Sequence, residues 1–134
     1  MIIENNMLSA AQEVKATAAS ANIYDLGKSG LRIGNPLFVC SRVHTTAEAD
    51  GDATVTISLE TSDDVTFQDG EEVVLYTTSA IGKAALVANS HVFMLDIGAM
   101  ELKRYIRGVY TVGTGPLTAG AFDLYLTSAI DMHN

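Results

Sequence analysis

The 134-residue chain has no tryptophan, one cysteine, two prolines and only eight basic residues. A lone cysteine, Cys40, cannot form an internal disulfide, so stability must come from packing or assembly, and the chain suits a reducing cytoplasm. Eight basic against sixteen acidic residues give a net charge of −8. The basic residues are scattered, and only Lys103, Arg104 and Arg107 approach a cluster. A phosphate backbone would repel such a chain, which argues against nucleic-acid binding. No apolar run approaches the roughly 20 residues of a spanning helix, so no membrane insertion is expected. The opening Met1–Asn6 has neither a basic region nor a long apolar stretch, so no secretory signal is expected there.

What remains is the composition of a packed domain. Hydrophobic residues make up 48% and charged ones 18%, with no low-complexity tract, which excludes intrinsic disorder. The length fits one domain, 1–134, able to bury about two thirds of its unfolded surface. No repeat and no linker divides it.

The residue choices favour strands. In Ala53–Glu60, Val55, Ile57 and Leu59 fall on one face and Thr54, Thr56 and Ser58 on the other, the period of a half-buried strand. His91–Ile97 is more continuously apolar, which predicts a strand covered on both faces. Segments 104–112 and 121–127 read as strong strands. The turn formers of Gly113–Gly120 between them predict an adjacent antiparallel pair. Weaker strands are predicted at 14–19, 22–26, 37–43 and 72–77. Leu8–Thr17 can be read as a short helix capped by Ser9, but the alternation of Val14, Ala16 and Ala18 favours strand. Ala80–Ala88 reads as either one helical turn or a short strand. About eight strands with little helix predict an all-β fold: an antiparallel β-sandwich, jelly-roll-like. The aromatics Tyr105, Tyr110, Phe122 and Tyr125 are expected to pack it rather than to form a carbohydrate platform.

No chemistry-bearing constellation stands out. Gly27-Lys28-Ser29 resembles the tail of a phosphate loop, but Asn22 sits where the motif's first glycine belongs, which leaves a turn. Asp50-Gly51-Asp52 and Asp63-Asp64 lack the alternating oxygens and closing glutamate of a calcium loop and read as surface turns. His44, His91 and His133 fit no metal spacing. Cys40 and His44 share a strand face but lie roughly 13 Å apart, too far for a nucleophile and its base. Cys40 reads as a small buried apolar residue. No catalytic residue, metal ligand or cofactor site is predicted.

Several segments, in order, carry a resemblance. They are Met1–Asn6, Ser9–Val14 and Ala16–Ser20, then Asn22–Gly27 and Gly34–Leu37, then Val55–Asp64, and finally Lys103–Arg107 leading to Tyr110–Pro116. Together they resemble the cement (decoration) proteins of tailed-bacteriophage capsids. The resemblance implies a jelly-roll-like sandwich without catalysis, made in the host bacterial cytoplasm and placed on the exterior of the virion. There it would stabilise joints between major capsid protein subunits. The implied partners are the major capsid protein and a second copy of the chain. A homodimer is favoured over a trimer, because a two-fold interface is self-complementary and closes. No nucleic acid, membrane or small-molecule substrate is expected. Met1, Ile2, Ile3, Met7 and Leu8 form an apolar segment, residues 1–8, ahead of the first confident strand. This arm is expected to dock on a neighbouring subunit or on the capsid rather than in its own core. The alternative function is a β-sandwich receptor- or carbohydrate-binding module of a virion.

Overall fold

The threonine–valine alternation becomes β5 (Thr54–Ser62), at the centre of the molecule, in a computed structural model that describes residues 7–25, 37–68, 70–97 and 100–128. Val55, Ile57 and Leu59 are fully buried, while Thr54, Thr56 and Ser58 are partly exposed. The remaining strands are β1 (Met7–Glu13), β2 (Ala18–Ala19), β3 (Tyr24–Asp25), β4 (Leu37–Glu48), β6 (Val73–Thr77), β7 (Ile81–Gly82), β8 (His91–Asp96), β9 (Tyr105–Gly113) and β10 (Ala119–Ser128). The Ala80–Ala88 stretch contains both of its readings: β7 runs directly into a single 3-10 turn at Lys83–Ala85.

Two antiparallel sheets form. One has the order β1-β10-β4-β8, the other β2-β9-β5-β6, with β3 also on β9 and β7 also on β5. Since β2 and β3 share one flank of β9, and β6 and β7 one flank of β5, the ten segments occupy eight strand positions. Number those positions along the chain. Then first pairs with eighth, second with seventh, third with sixth and fourth with fifth. That is a long hairpin wrapped into two layers, the jelly roll.

This topology corrects one expectation. β9 and β10 are consecutive but not paired: β9 lies against β5, and β10 against β4 and β1. The glycine-rich segment between them crosses from one sheet to the other. A jelly roll alternates layers, and a connection of this length can span the roughly 10 Å between packed sheets as readily as it can close a hairpin.

β8 corrects a second. It is the edge of the four-stranded sheet, with Met94 56% exposed, not a strand covered on both faces. Its apolar residues divide instead. Phe93 and Leu95 turn toward the core, and Met94 turns outward.

β1 corrects a third, because the sequence reading began its strands later. Leu8 is 1% exposed and belongs to the core with Val39, Leu59, Ile106, Leu124 and Leu126. It is therefore not a docking residue of a free arm. Met7, in the same strand as Leu8, pairs with Tyr125 of β10, while Met1, Ile2 and Ile3 lie outside the described residues.

The interior holds two adjoining apolar clusters. One gathers Val43, Val55, Ile57, Tyr110 and Phe122, and the other centres on Leu59, Ile106, Leu124 and Leu126. Gly108 is buried under Leu124, and a Cβ there would run into the leucine Cδ2. The missing side chain leaves Leu124 its place against β9.

Candidate docking surface

Buried polar atoms come first, since an active site would need them. Tyr110 Oη, deep in the core, donates to Ser9 Oγ at 2.9 Å, and Ser9 Oγ donates to Gln12 Oε1 at 2.6 Å. Gln12 Oε1 also accepts from the Ala21 amide, and its Nε2 donates to the Ala19 carbonyl. Burial pushes the Tyr110 phenol well above its ordinary value. The chain of hydroxyl and amide ends on main-chain groups, so it ties β1 to β9 and the β2 turn. That is a structural role.

The cations are equally committed. Arg104 makes a bidentate pair with Asp25, and Arg107 pairs with Glu60 at 3.0 Å while stacking over Phe67 at 4.4 Å. Lys103 donates to the Glu71 carbonyl, and Lys83 to the Ala49 carbonyl at 2.7 Å. The basic group noticed in sequence is thus spent on neighbouring carboxylates and carbonyls. No group of three or more metal-ligating side chains occurs among the described residues. An open groove of about 340 Å³ lies between β4 and the 3-10 turn, lined by Thr46, Glu48, Lys83 and Val87. Its lysine is turned into the main chain, and no buried polar side chain addresses the space.

The two outer sheet faces differ more than any pocket does. On the six-stranded side, Thr56 stands opposite Thr111, and Ser58 opposite Val109 and Thr77. Ser58 Oγ donates to Thr77 Oγ1 at 2.9 Å. This is a hydroxyl-rich, half-solvated face of the kind that a period-two strand shows to water.

The four-stranded side carries an apolar row flanked by polar residues. Register places Met7, Tyr125, Cys40 and Met94 in one row across β1, β10, β4 and β8. Thr127, Phe38 and Asp96 lie in the next row, and Arg42 faces Asp123 on the other flank. Arg42 Nη2 donates to Asp123 Oδ2 at 2.7 Å, and Asp123 Oδ1 accepts from the Ala11 amide, also at 2.7 Å. Cys40 is 5% exposed because Tyr125 and Met94 flank it, and burial pushes its thiol upward. Methionine, tyrosine, phenylalanine and arginine together are the composition that protein interfaces favour at their centres.

Of the residues singled out in sequence, Cys40 is buried as expected, and His44 on the same strand is exposed. The sequence reading did not find Met94, Phe38, Arg42 or Tyr125 as a surface. They lie on three strands far apart in the chain, and only the register of β4 with β8 and β10 unites them.

The described residues form a jelly-roll domain with a hydroxyl-rich outer face on one sheet and the Met7–Tyr125–Cys40–Met94 row on the other. The chain belongs to the Bbp16 family, whose model matches residues 8–126, from β1 to β10. No curated protein matches the chain.

Proposed function

We propose that this chain is a non-enzymatic structural protein of a phage virion, binding the capsid exterior and stabilising joints between major capsid protein subunits. The observation that carries the reading is the row Met7–Tyr125–Cys40–Met94 on the outer face of the four-stranded sheet, with Met94 56% exposed and Phe38 and the Arg42–Asp123 pair beside it. The ordered resemblance to cement proteins supplies the partner, and the jelly roll is a fold that such a role uses. An acidic body with its described cations already paired would avoid the packaged genome. Each copy need bury only about 800 Å² per partner, because repetition over a lattice favours the assembled shell. Self-association as a dimer belongs to the same proposal.

Particle composition tests it directly. Purified virions should contain this chain in a fixed, high ratio to the major capsid protein, and capsids stripped of it should break at lower temperature. A handful of copies per particle would favour the receptor-binding alternative, and absence from particles would overturn both.

A further inference from the structure

The sheet edges carry an inference beyond the apolar face. β6 and β8 are the end strands of the two sheets, and the Tyr76 and Phe93 rings meet at 5.1 Å, so both edges lie along one side of the sandwich. Among the described residues β6 is hydrogen-bonded only through β5. Its five residues, Val73-Val74-Leu75-Tyr76-Thr77, include no charge, no proline and no glycine. Natural edge strands are normally blunted by such residues, because an open row of amides and carbonyls recruits other strands. Val73 and Val74 are 47% and 53% exposed, although they point to opposite faces of the strand. Pairing with β5 shifts register between Leu59 and Glu60. Beyond that shift the Val73–Val74 end, exposed on both faces and free of charge, proline and glycine, is a template for strand addition.

The approach to β6 is held still. Asp64 accepts from the Thr66 and Gln68 amides, Phe67 is pinned under Arg107, and Lys103 holds the Glu71 carbonyl. Charge then selects what is added. Residues 62–77 contain Asp63, Asp64, Asp69, Glu71 and Glu72 and no Lys, Arg or His. The segment stays net acidic although Lys103 reaches the Glu71 carbonyl and Arg107, itself paired with Glu60, covers Phe67.

We infer that the β6 edge receives an extended segment of the capsid subunit. This segment carries apolar residues on both of its faces, to cover Val73 and Val74, and lysine or arginine at the end that lies beside Glu72. This rests on the capsid reading above and names a contact separate from the four-stranded face.

The experiment uses the full chain and capsids stripped of it. Wild type and the double variant Val73→Lys/Val74→Lys are titrated onto capsids, and bound chain is read as a band ratio to the major capsid protein. The double variant should bind about tenfold more weakly or worse, since edge lysines oppose strand addition. A Thr56→Lys/Thr111→Lys control on the hydroxyl face should bind as wild type does. Wild-type binding should also weaken between about 50 and 500 mM salt, as screened charge pairs do. Hydrogen exchange on wild type gives a readout that needs no variant: β6 amides should gain protection when capsids are added.

Wild-type affinity in the double variant, or unchanged β6 exchange on bound chain, overturns the inference while leaving the capsid reading intact. Protection of β6 at high concentration of the chain alone would make a second copy the occupant and overturn the assignment to a capsid segment. No binding by wild type would overturn the capsid reading, and this inference with it.

Discussion

Tyr110 and Phe122 face each other across the interior, ring centroids 5.3 Å apart and planes at 34°, although one belongs to β9 and the other to β10 in the opposite sheet. Their contact joins the layers at the place where the chain has just crossed between them.

Tyr110→Phe keeps that ring contact and removes only the hydroxyl that donates to Ser9. A loss of about 1–2 kcal/mol at neutral pH is expected, the usual cost of a broken buried hydrogen bond. The pH dependence is the sharper test. Burial raises the phenol in the folded state. Below about pH 10 both folded and unfolded chains hold this proton. Above it the unfolded chain releases the proton while the folded chain keeps it, so stability falls as pH rises. The fall approaches about 1.4 kcal/mol per pH unit from this one group. Urea melts from pH 9 to pH 11 should therefore decline less steeply for Tyr110→Phe. Some decline remains, because burial also raises Tyr125. Parallel declines for the two proteins would contradict the assignment.

Ile57 is fully buried and Thr56 half-buried on the other face of β5. Ile57→Ala should cost roughly 2–5 kcal/mol, the lost transfer energy plus a residual cavity. Thr56→Ala should cost well under about 1 kcal/mol, as partly exposed substitutions do. Denaturant midpoints compare the two, and the reverse ranking would mean that the strand faces the other way.

Leu8 distinguishes a core strand from a free arm. With 1% exposure it should lose roughly 2–5 kcal/mol on replacement by alanine. An arm residue docking elsewhere would leave the isolated chain's melting temperature unchanged. A scanning-calorimetry trace of Leu8→Ala decides the matter without capsids.

Cys40 should be inert in the native state. Burial raises its thiol and so depletes the thiolate that alkylating reagents attack. Iodoacetamide is expected to label it only on unfolding, with a rate that follows denaturant. Cys40→Ser should lower stability by about 1–3 kcal/mol by burying a hydroxyl. EDTA should leave melting temperature and capsid decoration as they were. Release from capsids by EDTA would point to a metal that the described residues do not suggest.

Strand content was legible where one residue's neighbours decide its fate. The alternation of Val55, Ile57 and Leu59 with threonine and serine needs no partner to be read. Pairing was not legible. Gly113–Gly120 has the turn formers of a hairpin, and only the wider topology sends it across the sandwich. Met7 and Leu8 read as part of an apolar arm because no strand alternation is visible at Ser9–Gln12, whose polar side chains look like surface residues. Ser9 is buried against the hydroxyl of Tyr110, about a hundred residues away, and Gln12 bonds to it in turn. The candidate docking face is less legible still. Cys40 looked like a solitary buried thiol, and its neighbours Met94 and Tyr125 become neighbours only through strand register.

The pairing of β1 with β10 bears on how the chain is made. Met7 lies beside Tyr125, and Glu13 beside Ala121. On the ribosome the first strand waits for the last, its buried leucine uncovered until Ala119–Ser128 has emerged. Contacts so distant along the chain also slow folding. Completion of the four-stranded sheet is thus deferred past most of translation. A chain halted before β10 lacks both the partner of β1 and the central strand that carries Tyr125, and so cannot form the surface that decoration is proposed to use.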